Sequence, residues 1–136
     1  MSARTSRIAT RALTRGTHMG IEWYTAPAPM NGAINGYMRI PADHPLAHAG
    51  DYNSINDARW GEEEPLSFNG GAGELTFCVG DEDGSVIVGF DTLHYNDYWP
   101  GDPHAPEEFS TWWTLAMVEE NCRRWCWWIA SKAVQR

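Results

Sequence analysis

Long apolar runs are missing from this chain, cysteine is scarce, and basic residues are outnumbered by acidic ones. No stretch approaches the roughly 20 apolar residues that a spanning helix needs, so a membrane-crossing segment is not expected. The three cysteines, Cys78, Cys122 and Cys126, are odd in number and match neither zinc-ligand nor secretory spacing. They read as small buried hydrophobes in a reducing compartment. Of the 10 basic residues, four (Arg4, Arg7, Arg11 and Arg15) fall within residues 1–18, which hold no acid. Residues 19–136 therefore carry 6 bases against 18 acids, a net charge of −12. A body of that sign lacks the basic stripe with which proteins track phosphates, so direct nucleic-acid binding by the body is not expected. It suits a basic partner instead.

What the chain does have is tryptophan, eight in 136 residues, a length that makes one domain. Residues 1–18 read as a basic, flexible extension or upstream start, and residues 19–136 as a single domain opening at Met19. On that division, a chain beginning at Met19 would keep the full chain's melting temperature. Ile21 to Gly36 is rich in Pro, Gly and Asn and reads as extended chain and turns. Gly36–Pro41 alternates as a strand does, and Asp51–Ile55 reads as a helical turn. Glu74–Val79 and Ser85–Phe90 flank "GDEDG", a hairpin signal. Asn69–Gly73 reads as a bulged turn, because no helix start follows it as a phosphate loop requires.

The C-terminal segment is the clearest helix signal. From Ser110 as a candidate N-cap, six turns are expected. Leu115, Val118, Cys122, Cys126, Ile129 and Ala133 form the buried stripe, with Glu119–Arg123 and Glu120–Arg124 pairs on the other side. The expected fold is therefore α+β: a small antiparallel sheet of three to four strands with one long C-terminal helix across one face. At that phase Trp113, Trp127 and Trp128 fall off the stripe, with Trp127 beside Arg123 and Trp128 beside Arg124. Stacking of arginine on indole is worth about 0.5–1 kcal/mol where exposed, too little to account for three large rings. Either loops cover them, or a partner or a second copy in a homodimer does. The acid run Glu62, Glu63 and Glu64 joins them as a candidate contact surface.

The strings "GYMRIPADHPLAHAGDYNSI", "GGAGELTF" and "VIVGFDTLHYND", followed by one helix, resemble a family of small bacteriophage and prophage accessory proteins. The family's Gly-His-Pro stands here as Asp43-His44-Pro45, and its His-Gly-Gly as Asn69-Gly70-Gly71. Its Gly-Phe-Asp-Cys-x-His with a later Asp maps to Gly89, Phe90, Asp91, Thr92, His94 and Asp97. Threonine at 92 removes a cysteine nucleophile, and asparagine at 69 removes an imidazole ligand. What remains is Asp91, His94 and Asp97, with His44 and His48 as neighbours. Such a set could run acid–base chemistry or hold a divalent metal. The alternative is a polar loop in which Asp91 caps the turn after its strand.

Two functions compete. The resemblance implies an accessory protein that binds and neutralises a host component in the cytoplasm of the infected bacterium, such as a nucleic-acid-binding defence protein of the CRISPR type. Such a protein would need no cofactor. The other reading is a small hydrolase or metal-dependent enzyme centred on Asp91, His94 and Asp97. A structural virion component is a third, and no long heptad supports it.

Overall fold

The computed structural model describes residues 11–28, 33–48, 55, 75–92 and 113–133. Glu62, Glu63, Glu64, His94, Asp97 and Ser110 lie outside the described residues, as do residues 1–10, 51–54 and 69–73.

Five strands form one antiparallel sheet: β1 (Thr14–His18), β2 (Ile21–Pro27), β3 (Ile34–Ile40), β4 (Phe77–Gly80) and β5 (Val86–Phe90). Their spatial order is β1-β2-β3-β5-β4. One long helix, α1 (Leu115–Ser131), crosses one face over β2 and β3. The α+β arrangement agrees with the sequence pattern, with one or two strands more than expected.

The additional strand corrects the domain boundary. Thr14–His18, assigned above to a flexible extension, pairs along its whole length with β2, from Thr14 opposite Thr25 to His18 opposite Ile21. Met19 does not open the domain but turns the chain back. Met19 (φ 55°) and Gly20 (φ 82°) both lie in the left-handed region, as a two-residue loop of the primed type requires. The "GDEDG" segment turns as expected: the Asp81 amide donates to Ser85 and the Gly84 amide to Asp81. The Asp83 carboxylate fastens this turn through the Ser85 hydroxyl and amide and through Arg39 at 2.7 Å. These bonds, that of the Ser85 hydroxyl foremost, hold its carboxyl well below the ordinary carboxylate range.

Alternation along the strands selects the face that α1 covers. Ile21 and Trp23 of β2, Met38 and Ile40 of β3, and Val88 and Phe90 of β5 are buried and join the core. Gly36 lets the helix approach: a Cβ there would sit 2.3 Å from the Phe90 ring and 2.7 Å from the Cys122 sulfur. Cys122 and Cys126 point their thiols at the Tyr24 and Ile21 carbonyls of β2, at 3.8 and 3.6 Å. Burial pushes both thiols up, Cys126 to about 12, so neither is a reactive thiolate at neutral pH.

The helix is shorter than expected and starts later. Thr114, in extended geometry, is its N-cap, and its side chain accepts the Met117 amide. The inner side of α1 is also wider than the predicted stripe. Val118, Cys122, Cys126 and Ile129 are buried as expected, and Asn121, Trp125 and Trp128 join them. Leu115 is only half-buried and Ala133 is exposed. Trp113 and Trp128, placed off the stripe by the sequence reading, are 7% and 3% exposed. Trp128 reaches the core from the flank of the buried arc, and Trp113 precedes the N-cap, so helix phase does not govern it. Trp125 and Trp128 meet edge to face at 5.7 Å.

Candidate functional site

The segment around Asp91 is the first candidate. Asp91 follows β5 and accepts a hydrogen bond from the Thr76 hydroxyl at 3.3 Å. Thr92 is buried, and its hydroxyl donates to the Ile34 carbonyl at 3.0 Å, which ties the end of β5 to the start of β3. Where the family resemblance would place a nucleophile, this side chain therefore fastens two strands together.

His44 was a candidate metal ligand, and its surroundings exclude that role. It is 5% exposed and follows β3, just before a short 3₁₀ turn at Pro45–His48. Its Nε2 lies 2.7 Å from the Ile129 carbonyl, which can only accept, so Nε2 carries the proton. Nδ1 accepts the Leu46 amide at 3.0 Å. Both ring nitrogens are spent on backbone groups, and no lone pair is left for a metal. His44 pins the 3₁₀ turn to the last turn of α1. His48, exposed, places its Nε2 3.1 Å from the Ala42 carbonyl. Among the described residues, no group of three or more His, Cys, Asp or Glu side chains is arranged to hold a metal ion.

The second candidate lies at the other edge of the molecule. The outer side of α1 and the end of β1 form an open groove of about 320 Å³ lined by His18, Glu120, Arg123, Arg124 and Trp127. Next to it, the buried Trp23 ring lies against Gly16 of β1. The Arg123 guanidinium sits over the Trp23 ring, 5.9 Å from its centroid, and Lys132 lies over Trp128. The expected pairing of arginines with Trp127 and Trp128 is thus replaced by other partners. Of the two expected ion pairs, Glu120–Arg124 forms at 3.5 Å, whereas Arg123 turns to Glu120 at 3.1 Å instead of Glu119. The hydrogen bonds from Arg123, with support from Arg124, hold the Glu120 carboxyl below its usual range.

Trp127 is 48% exposed, while Trp113, Trp125 and Trp128 are buried. Of the three tryptophans proposed as contacts, the structure leaves one available to a partner. Among the described residues, neither the His18 imidazole nor the Trp127 indole N–H has a hydrogen-bond partner. His18 escaped the sequence reading because it was assigned to the extension; only the pairing of β1 with β2 carries it to the helix. Adjacent arginines one turn before an outward tryptophan were the available signal for the rest.

No protein-family model matches this chain, and neither does any curated protein or any solved structure.

Proposed function

We propose that this chain is a phage-encoded accessory protein that binds a host component and blocks it, with a defence protein as the target. The observation that carries the reading is the exposure of Trp127 on a helix whose other tryptophans are buried. Tryptophan and arginine are the residue types that most often dominate the energetics of protein contacts, and here they line one groove. A net charge of −8, from 18 acids against 10 bases, favours a basic target, such as a nucleic-acid-binding defence nuclease, and speeds encounter with it. Small size fits a protein that acts by occupying a surface. No helix among the described residues is long and apolar enough to cross a membrane.

The test is a plating experiment. A bacterial strain carrying a CRISPR system directed against a phage is compared with and without expression of the chain. The proposal expects plating efficiency to rise by orders of magnitude when the chain is present. Unchanged plating across strains with different defence systems would contradict it.

A further inference from the structure

The groove beside Trp127 carries unused donors, and these define what can occupy it. Arg124 spends only its Nε on Glu120, leaving both terminal nitrogens unpaired among the described residues. Arg123 uses Nε and Nη2 on the same carboxylate and keeps Nη1. The His18 ring and the Trp127 N–H add further polar atoms. The one carboxylate in the groove, Glu120, has both oxygens engaged by these arginines. An occupant must therefore bring acceptors, and charge-assisted bonds to guanidinium favour carboxylate or phosphate oxygens.

The shape decides between a small molecule and a polypeptide. Pockets for free ligands enclose most of the ligand surface, whereas this groove is open along its length. Its upper wall is an indole that is half exposed, which suits an apolar side chain laid across it. Charge adds a third argument. In a chain of net charge −8, two arginines on one helix face reverse the local sign. The far end of the sheet, at Asp81, Glu82 and Asp83, is acidic.

We infer that this groove seats an extended acidic segment of the target protein. Its carboxylates take the Arg124 fork and the free Nη1 of Arg123, and a neighbouring apolar side chain lies on Trp127. The inference rests on the reading of Trp127 as a contact residue. The acidic remainder of the chain would then meet basic surface on the same target, so the reversal at the groove sets the orientation of the complex.

The experiment uses the full chain and a capped peptide of glutamates flanking one phenylalanine. The same peptide with lysines, adenosine monophosphate and inorganic phosphate are the other arms. Nitrogen-detected or proton-detected NMR follows the Trp127 indole and the Arg123 and Arg124 Nε groups. The acidic peptide should shift these signals saturably, and its affinity should fall by about tenfold when salt rises from low to physiological strength. Trp127→Gln and Arg124→Gln should each weaken it by about fivefold or more. Glu120→Gln, which removes the internal competitor, should tighten it. Equal binding of the lysine peptide would overturn the inference, as would tighter binding of the nucleotide or phosphate, or no saturable shift. Loss of plating protection on Trp127→Gln without any peptide shift would keep the contact and remove the acidic occupant. Peptide shifts without any plating effect would support the groove and remove the host target.

Discussion

The inner and outer sides of α1 carry the same residue type under opposite conditions. Trp125 is fully buried and Trp128 nearly so, while Trp127, one position away, is half exposed. A helix turns by about 100° per residue, so consecutive indoles cannot share a face. The inner side packs on its surroundings: rings against rings, thiols over strand carbonyls, and His44 on the Ile129 carbonyl. The outer side holds a groove in which Glu120 is satisfied by both arginines while the arginines keep unused N–H groups among the described residues. On the proposed function, stability and recognition are separated on one helix, and substitutions should separate them too.

Trp125→Ala should have the largest effect, a loss of about 3–5 kcal/mol in chemical unfolding, because a fully buried indole leaves a cavity. Truncation to Met19 comes next. It removes β1, uncovers Trp23 and Ile21, and should cost about 2–4 kcal/mol. An unchanged melting temperature would restore the boundary read from composition. His44→Ala leaves the Leu46 amide without its acceptor and removes a bond to α1, for an expected loss of about 2–3 kcal/mol. Trp127→Ala should fall within about 0.5 kcal/mol of the parent, since the ring is outside the core. A larger loss would erase the distinction between the two sides.

The smallest effect concerns Asp83, far from the helix. Its folded-state pKa is depressed, so its contribution is present above the unfolded carboxylate value and is lost as pH falls toward the folded one. The melting-temperature gap between the parent and Asp83→Asn should therefore be open at neutral pH and narrow progressively in acid. A gap that widens in acid would contradict the bonding described at this turn.

The elements legible in the sequence were those whose signal is local. The alternation around Gly36–Pro41, the "GDEDG" turn and the helical period through Cys122, Cys126 and Ile129 each report on one element. β1 was not legible, because "TRGTH" is polar, carries no apolar alternation and sits on a sheet edge. Met19-Gly20 also looks like a chain start rather than a primed turn. The candidate site was half legible for the same reason. Trp127 could be read from helix phase, but His18 reaches the groove through strand pairing. His44 misled because a histidine's role depends on what its two nitrogens meet, and one of those partners lies 85 residues away.

The most direct test sets Trp127→Gln beside Trp128→Gln, measuring for each the melting temperature and the plating protection given to a phage. The account predicts that Trp127→Gln melts with the parent and loses protection, while Trp128→Gln loses several kcal/mol of stability. Full protection by a stable Trp127→Gln protein would contradict the claim that the outer side of α1 is where this chain meets its target.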